Sequence, residues 1–371
     1  MCQLELFKSS NFDNKSLPLE TEGIKYAGSK LKLLPYIESI IKSQPNIKTV
    51  LDGFSGTTRV SQMFAQMGYD TTCNDISCWS EVFGNCYLMK GKDDSFYQNL
   101  IDHLNNLTPC DGWFTENYGG YDDDSKKPFK RKNMQKLDVI REEIENLKLD
   151  KVDKSVLLTS LILALDKVDS TIGHFSSYLA KWSPRSSNDL YLVLPKRFNI
   201  HSNNNVIKND VFNVIKNCHY DFAYFDPPYG SNNEKMPPSR VRYNSYYHFW
   251  TSVILNDKPK LFGKVNRRED SRDTVSASVF EEFRKDDTGH YIAMQSLKRL
   301  IDSTDANYIL LSYSSGGRAT KEELIDIVNE NGSLKNIYEI DYKKNVMAGM
   351  KWTNEWTRND DNKEYLIFMQ K

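Results

Sequence analysis

The 371-residue sequence lacks the features that mark membrane-spanning and secreted proteins. Its longest apolar run, Val156 to Leu165, is interrupted by Thr159 and Ser160 and has about half of the roughly 20 residues that a membrane-spanning helix needs. The run therefore predicts a buried helix. The N-terminus has no charged start, long apolar stretch or small-residue cleavage site of a secretory signal, so we expect a cytoplasmic protein without a membrane partner.

Cysteines at metal-binding spacing are also missing. The six cysteines include no CxxC pair and have no companion histidines at the spacing of zinc sites. We therefore expect reduced, mostly structural thiols and no metal site.

An excess of charge of one sign is absent as well. The sequence has 49 Lys and Arg residues against 50 Asp and Glu residues, and its formal net charge is -1. This balance excludes binding to nucleic acid through bulk positive charge, so an anionic partner would have to meet local basic patches. A hydrophobic share of 39% with 12% aromatic residues argues against disorder, and the length fits one elaborated α/β domain or two domains.

What the sequence does contain is an alternation of predicted strands and helices. A strand from Ile47 to Asp52, a turn from Gly53 to Gly56, a helix ended by Gly68 and a strand from Tyr69 to Ile76 form one βαβ half of a doubly wound sheet. Further strands are predicted at residues 221–225, 308–312, 337–342 and 365–369, and further helices at residues 246–255, before Asp302 and at 321–331.

The alternation fails between about residues 90 and 205, where helices take over. Apolar residues recur there at helical spacing, namely Met134, Leu137, Ile140, Ile144 and Leu147. We predict an α/β fold with a doubly wound mixed sheet, in which residues 1–90 and 205–371 form the core and residues 91–204 an inserted, mainly helical domain. Within the core, residues 230–274 form a second, polar insert.

Two features together point to a nucleoside site. Glycines in the turn from Gly53 to Gly56 let the backbone approach a ligand, and the helix after it presents free N–H groups. Asp75 follows Gly56 by nineteen positions, near the roughly 20-residue offset at which a carboxylate reaches the hydroxyls of a bound ribose. An ordinary tight turn and a strand-end aspartate explain the pair equally well. A GxGxxG motif is absent, which counts against a dinucleotide.

The tetrapeptide Asp226-Pro227-Pro228-Tyr229 directly follows a predicted buried strand. Its prolines rigidify the chain where open α/β sheets place their active sites. Such a site suits a planar base with an exocyclic amine: Asp226 and the Pro227 carbonyl accept its two hydrogens, and Tyr229 stacks on the ring. Accepting both hydrogens aims the nitrogen lone pair at an electrophile in the neighbouring turn. Taken alone, the tetrapeptide is also explained by a proline turn after a core strand.

A third motif, Lys25-Tyr26-Ala27-Gly28-Ser29-Lys30, stands near the N-terminus. With Asp52 to Gly56, Asp75 and Asp226 to Tyr229 in that chain order, the sequence resembles the Dam-like, alpha-order (D12) class of N6-adenine DNA methyltransferases, in the branch of restriction-associated modification methylases. The resemblance covers nearly the whole chain and implies a Rossmann-like class I methyltransferase fold that binds S-adenosylmethionine. It is also carried by residues 113–118, 131–141, 181–185, 246–248, 311–314 and 364–368.

The resemblance implies roles for individual residues. Those implied to contact the cofactor are Tyr26, Lys30, Asp52, Phe54, Gly56, Thr57, Asp75, Asp210 and Asp226. Among them, Asp75 would bind the ribose hydroxyls and Asp210 the cofactor adenine. Asp226 would serve catalysis, together with Pro227, Pro228 and Tyr229. The sequence departs from the family pattern at Ser29, which replaces a usual glycine, and at Thr57-Thr58, which replace a common Gly-Ser pair.

Two basic segments flank the tetrapeptide, and we expect DNA phosphates to bind there. Residues 125–141 carry seven basic residues against one acid, and residues 235–272 carry nine against three, a local net charge of +6 in each segment. Such runs are more often solvated faces, but their position here favours phosphate contact. The residues expected to contact DNA are Lys126, Lys130, Arg131, Lys132, Arg185, Arg240, Arg242, Arg267 and Arg268.

These features predict a monomeric, site-specific enzyme that flips an adenine out of double-stranded DNA and transfers a methyl group to its N6. In this hypothesis the helical domain recognises the target. Two alternatives stay open: a methyltransferase of the same fold that acts on cytosine N4, RNA or a protein amide, and a catalytically silent DNA-binding module. The sequence does not disclose the recognition site, or whether a cognate restriction endonuclease acts separately beside the enzyme.

Overall fold

The computed structural model describes residues 7–8, 19–122, 127–230, 242–272, 278–282, 284–341 and 363–371. A sheet of eight strands forms its centre. The strands within the described residues are β1 (Phe7–Lys8), β2 (Thr49–Asp52), β3 (Asp70–Asp75), β4 (Gly119–Gly120), β5 (Phe129–Lys130), β6 (Asn205–Lys208), β7 (His219–Phe225), β8 (Leu261–Phe262), β9 (Arg267–Arg268), β10 (Asp305–Ser314), β11 (Ser333–Asp341) and β12 (Lys363–Gln370).

The strand order across the central sheet is β1-β11-β12-β10-β7-β2-β3-β6. Neighbouring strands are parallel, except that β12 runs antiparallel to both β10 and β11. β4 pairs with β5, and β8 pairs with β9, in two small separate ladders. The predicted α/β class with a mixed, mostly parallel sheet is confirmed.

Helices cover both faces of this sheet. The α-helices within the described residues are α1 (Leu34–Lys42), α2 (Arg59–Gln66), α3 (Cys78–Leu88), α4 (Asp94–Asn106), α5 (Trp113–Tyr118), α6 (Arg131–Asn146), α7 (Lys151–Val168), α8 (Val211–Val214), α9 (Tyr243–Tyr246), α10 (His248–Leu255), α11 (Ile292–Ser303) and α12 (Lys321–Asn331). Short 3-10 turns lie at Pro184–Ser187, Glu269–Ser271 and Val279–Glu281.

Strand β7 shows how the layers are built, because successive side chains of a strand point to opposite faces of the sheet. Phe222 and Tyr224 pack in the cluster that contains α1 and α2, whereas Ala223 and Phe225 pack with α8, α11 and α12. The strand is therefore buried on both sides, and its carboxyl end is held rigidly.

The apolar run from Val156 to Leu165 lies inside α7 and is buried throughout, so the prediction of a buried helix is confirmed. α7 packs against α3, which lies beside β3 and β6, and one hydrophobic cluster continues from α3 through α7 to α10. The helical segment thus shares its core with the sheet layer. Within the described ranges, none of the helices combines the length and the apolar character that a bilayer crossing requires.

The helix predicted at residues 246–255 is observed as α10, which begins two residues later at His248. A short helix, α9, precedes it, and the two meet at Tyr247, a residue with φ -116° and ψ 21°. The Tyr247 ring stacks on Tyr26 at 4.5 Å, and its hydroxyl accepts a hydrogen bond from the Ala27 N–H at 2.6 Å. Contacts with a distant part of the chain therefore accompany a break that helical periodicity alone does not reveal.

Candidate active site

The carboxyl ends of β2 and β7 meet at the point where the strand order reverses. From β2 the chain continues to β3 and β6 on one side, whereas from β7 it continues to β10 on the other. Asp52 at the end of β2 lies opposite Tyr224 of β7, so Gly53 and Asp226 leave the sheet side by side. Open α/β sheets bind ligands in the crevice at such a switch point.

A cleft with a volume of about 990 Å³, part of it open to solvent, occupies this position. It brings together every residue that the sequence assigned to the cofactor, from five separate parts of the chain. The predicted residues that line it are Tyr26, Lys30, Asp52, Phe54, Gly56, Thr57, Asp75, Asp210, Asp226 and Pro228.

The predicted pairing of the glycine turn with Asp75 is direct. The Gly56 N–H donates to Asp75 Oδ2 at 2.8 Å, and Ser77 donates to Asp75 Oδ1 through both its N–H and its hydroxyl, at 2.8 and 2.7 Å. Gly56 has φ +51°, and a Cβ there would lie 3.2 Å from the Tyr26 ring. A larger residue at this position would therefore be strained and would press on the N-terminal motif.

The N-terminal motif is held over the cleft by aromatic contacts. Tyr26 stacks on Tyr243 at 5.5 Å as well as on Tyr247. Gly28 has φ +82°, and a Cβ there would lie 3.1 Å from the Tyr243 hydroxyl. The motif thus lies against the α9–α10 junction, more than 200 residues away in sequence.

Asp226 belongs to a compact polar cluster, which we call the Asp226 cluster and which comprises Lys30, Asp226, Tyr229, Ser312 and Glu364. Lys30 Nζ, 8% exposed, lies 3.0 Å from Asp226 Oδ1 and 2.7 Å from Glu364 Oε1. The Tyr229 hydroxyl donates to Asp226 Oδ1 and lies 2.5 Å from Glu364 Oε1 and 2.6 Å from Lys30 Nζ. Ser312 Oγ donates to Glu364 Oε1 at 3.0 Å.

Burial and neighbouring charge change the proton affinity of the acids in the cleft. Burial raises the pKa of Asp226 to about 6; Lys30 opposes the rise, and Glu364 adds to it. Burial also raises the pKa of Asp52 to about 7, although Ser61 Oγ donates to its Oδ2. The charge of Asp226 adds to the rise in the pKa of Asp52.

Tyr229 is held both through its hydroxyl and through its ring. Its hydroxyl points into the Asp226 cluster, and its ring packs against Tyr313 with centroids 4.7 Å apart. Pro228 and Asp226 line the cleft. The stacking of Tyr229 on a base stays a prediction.

Several residues of the site were missed by sequence reasoning. Ser312 and Glu364 lie in segments that carry the family resemblance, but the sequence predicts no role in the site for either residue. A strand pattern does not show whether a polar side chain is buried. Ile76 is a large apolar side chain that lines the cleft and is 48% exposed. Its position directly after Asp75 was the available signal. Glu281 also lines the cleft, but no pattern in the sequence around it indicates a place in the site.

The residues expected to contact DNA fall into different environments. Arg268 is 3% exposed and pairs with Asp257 and Asp270, both at distances below 3 Å, and Arg185 donates to Asp169 and to the Thr171 carbonyl. These internal pairs favour a structural role over the predicted phosphate contact. Arg242 is also buried, and Arg267 donates to the Ser271 carbonyl.

The basic residues at the start of α6 pair with exposed acids. Lys132 is 51% exposed, and Arg131 pairs with the exposed Asp111. Lys130 pairs with the exposed Asp122, and its Nζ lies 4.0 Å from the Trp182 ring centroid. The other two predicted DNA contacts, Lys126 and Arg240, lie outside the described residues.

Comparison with known proteins agrees with this geometry. Residues 26–248 match the family model described as D12 class N6 adenine-specific DNA methyltransferase. The chain is 26% identical over 366 residues to the modification methylase StsI of Streptococcus sanguinis, an alignment that covers 94% of this chain and 52% of that protein. It is 25% identical over 376 residues to the type II methyltransferase M.FokI of Planomicrobium okeanokoites, with 94% and 53% covered.

A third relative has a length similar to that of this chain. The type II methyltransferase M.NlaIII of Neisseria lactamica is 26% identical over 357 residues, with 94% of this chain and 99% of that protein covered. The chain therefore spans about half the length of StsI and M.FokI and nearly all of M.NlaIII.

Proposed function

The chain belongs to the D12 class N6 adenine-specific DNA methyltransferase family, and from this premise we propose that it methylates the N6 of an adenine flipped out of double-stranded DNA. S-adenosylmethionine would be the methyl donor. The observation that carries the proposal is the position of Asp226: its carboxylate lies at the carboxyl end of β7, in the same cleft as the Asp75–Gly56 pair. A methyl acceptor and a nucleoside cofactor would therefore meet at one switch point.

The cleft fits a cofactor rich in hydrogen-bond donors. Three buried acceptor oxygens on residues that line it, Asp52 Oδ1, Asn74 Oδ1 and Glu281 Oε2, have no hydrogen-bond partner within the described ranges. Asp75 would accept from the ribose hydroxyls, Asp210 from an adenine amine, and the exposed Ile76 would cover an adenine face. S-adenosylmethionine, when bound, supplies an electrophilic methyl group beside Asp226.

The residues around the acceptor would raise the nucleophilicity of an exocyclic amine. The Asp226 carboxylate and the Pro227 carbonyl accept its two hydrogens, which localises the nitrogen lone pair and stabilises the positive charge that develops on nitrogen. Lys30 pairs with the Asp226 carboxylate and would keep it in place. Rigid prolines after a buried strand hold these groups at a fixed distance from the glycine turn, so positioning supplies a large part of the catalysis.

We further propose that residues 91–204 recognise the target sequence and that residues 1–90 and 205–371 form the catalytic core, with residues 230–274 facing DNA. The basic start of α6 supports this division, because its lysine and arginine side chains pair with exposed acids at the protein surface. We expect a monomer. A restriction endonuclease that cuts the same site would complete a restriction-modification pair.

The direct test is to incubate the protein with unmodified DNA and methyl-labelled S-adenosylmethionine, and to digest the product to nucleosides. We expect the label in N6-methyladenine. Label in N4-methylcytosine, or in RNA or protein when these are offered instead, would replace the proposal with one of its alternatives. Absence of both labelled product and cofactor binding would favour a DNA-binding module without catalysis.

Methyl transfer should fall at acid pH, because Asp226 accepts N–H hydrogens as a carboxylate and its pKa is raised to about 6. We expect the single-turnover rate to be at its plateau above pH 7 and to fall about tenfold for each unit well below pH 6. The measurement needs saturating cofactor at every pH, since Asp52 in the same cleft also has a raised pKa. A rate that is constant from pH 5 to 7 would contradict the role of Asp226.

Reversal of charge at the start of α6 should weaken DNA binding in a salt-dependent way. Lys130 and Arg131 pair with acids at the surface, and such pairs contribute little, so phosphates can replace the acids. For Lys130→Glu with Arg131→Glu, we expect the slope of log affinity against log salt to become shallower by roughly 2.

Lys298→Glu is the matched control for this experiment, because Lys298 also pairs with an exposed acid, Glu330, but lies in α11 outside the basic segments. Fluorescence anisotropy with a labelled duplex at several salt concentrations gives both slopes. If the double variant and the control have the same slope, the α6 residues do not contact phosphates.

A further inference from the structure

Glu364 is a buried carboxylate for which the proposed reaction gives no direct use. It lies in β12, which runs antiparallel to its neighbours, and it is 5% exposed. It does not line the cleft, so it would not touch cofactor or base. A buried acid without a partner would be costly, and a strand-forming apolar residue would suit the position better. Its presence calls for a partner within the Asp226 cluster.

The contacts of Glu364 lead to Asp226. Its Oε1 atom accepts from Lys30 Nζ at 2.7 Å and from Ser312 Oγ at 3.0 Å, and it lies 2.5 Å from the Tyr229 hydroxyl oxygen. Lys30 and Tyr229 are also the two side chains that hold Asp226 Oδ1. The two carboxylates thus contact the same two side chains, one from the N-terminal motif and one from the tetrapeptide, and compete for the single hydroxyl hydrogen of Tyr229.

We propose that Glu364 is a positioning residue of the methyl-transfer reaction, which holds Lys30 and Tyr229 against Asp226 and competes with Asp226 for the single ammonium group. This inference rests on the proposed function. Two carboxylates and one ammonium leave the cluster with a net charge of -1 when both acids are ionised. The charge of Glu364 therefore favours a proton on Asp226.

The other ionisable groups that face Asp226 do not offset the net negative charge of the Asp226 cluster. Tyr224, Tyr229 and Tyr243 stand near it, and burial raises the pKa of each above its usual range, so they stay neutral. Asp52 adds a further negative charge when ionised. Lys30 is the cation paired with Asp226 among the described residues, and the two carboxylates hold the pKa of Lys30 above its usual range although burial opposes this.

The sign of the effect follows from these charges. Glu364→Gln removes a negative charge while keeping the shape and an acceptor oxygen. Asp226 is then the one carboxylate paired with Lys30 in the Asp226 cluster, so it ionises at lower pH. Lys30→Met removes the positive charge, so Asp226 ionises at higher pH. We expect the acid limb of the single-turnover profile to move down by about one unit in the first variant and up by about one unit in the second.

Glu339→Gln is the matched control. Glu339 also lies between two lysines, Lys321 and Lys363, at 2.7 and 2.8 Å, but it is in β11, away from the cleft. We expect its profile to coincide with that of the wild type. If Glu364 were merely structural, Glu364→Gln would lower the rate equally at all pH values, and that result would overturn the inference.

A second readout does not depend on activity. With aspartate labelled at the side-chain carboxyl carbon, the Asp226 signal can be assigned by its loss in Asp226→Asn and its titration followed by NMR. A midpoint that moves down in Glu364→Gln and up in Lys30→Met supports the inference, and unmoved midpoints overturn it. If the midpoints move in a protein that transfers no methyl group, the coupling stands and the proposed function fails. Should Glu364→Gln not fold, Glu364→Asp, which keeps the carboxylate but draws it back from Lys30 and Tyr229, takes its place: a lowered Asp226 midpoint supports the inference, and an unmoved midpoint overturns it.

Discussion

Asp226→Ala is expected to lower the rate of methyl transfer to DNA by about 1,000-fold or more, without loss of the fold. The variant removes the carboxylate that accepts a hydrogen of the target amine, so the nitrogen lone pair is no longer localised. The fold should persist because Lys30, buried at 8% exposure, keeps Glu364 as its partner at 2.7 Å. The Asp226 cluster then contains one ammonium and one carboxylate. Transfer of labelled methyl from S-adenosylmethionine to duplex DNA under single-turnover conditions gives the rate.

Two further measurements separate a loss of catalysis from a loss of the fold in this experiment. Asp226→Asn keeps one acceptor oxygen and loses the charge, so we expect a rate between those of the wild type and Asp226→Ala. The thermal midpoint of Asp226→Ala should stay close to that of the wild type. A variant that folds normally and still transfers methyl at the wild-type rate would remove Asp226 from the mechanism.

Asp75→Ala is expected to weaken the binding of S-adenosylmethionine by about 100-fold or more. Each hydrogen bond to a charged acceptor contributes about 1.5–3 kcal/mol, and Asp75 would lose its bonds to two ribose hydroxyls. The variant also frees the Gly56 N–H, which Asp75 Oδ2 holds at 2.8 Å, so the glycine turn loses an anchor. Isothermal titration calorimetry of the full chain with S-adenosylmethionine measures the change.

The chain offers a control that matches Asp75 closely. Asp221 in β7 also accepts three hydrogen bonds from residues at the start of the adjacent strand β2. The donors are the N–H groups of Lys48 and Thr49 and the Thr49 hydroxyl. It lies at the amino end of the same sheet, away from the cleft. Asp221→Ala should therefore lower stability with unchanged cofactor affinity. If Asp75→Ala and Asp221→Ala both bind as the wild type does, Asp75 is not a ribose ligand.

Much of the fold follows from local patterns in the sequence. β2, the glycine turn, α2 and β3 were predicted within a few residues, because apolar alternation and glycine punctuation are local properties. α12 begins and ends as predicted, and its capping box, in which Thr320 and Glu323 exchange hydrogen bonds, is a signal carried by four consecutive positions. The predicted cofactor residues meet in one cleft because parallel strands place their carboxyl ends at one edge.

The helical segment was harder to interpret. Sequence periodicity located α6 and α7 but could not show that α7 packs on α3 within a continuous core, since that packing joins residues far apart in sequence. The two basic segments looked alike at a local net charge of +6. In the structure, Arg268 is buried whereas Lys132 is half exposed, because burial of a side chain depends on which elements pack around it.

The sequence by itself determined the strand-end chemistry of this protein: the tetrapeptide from Asp226 to Tyr229, the glycine turn and Asp75, each set by residue type next to a strand. Tertiary structure alone decided the surroundings of that chemistry. Glu364 meets Lys30 across 334 residues of chain, and their contact arises because β12 inserts antiparallel between β10 and β11. Local propensity sets which elements form, but the burial and charge that tune Asp226 depend on which elements pack together.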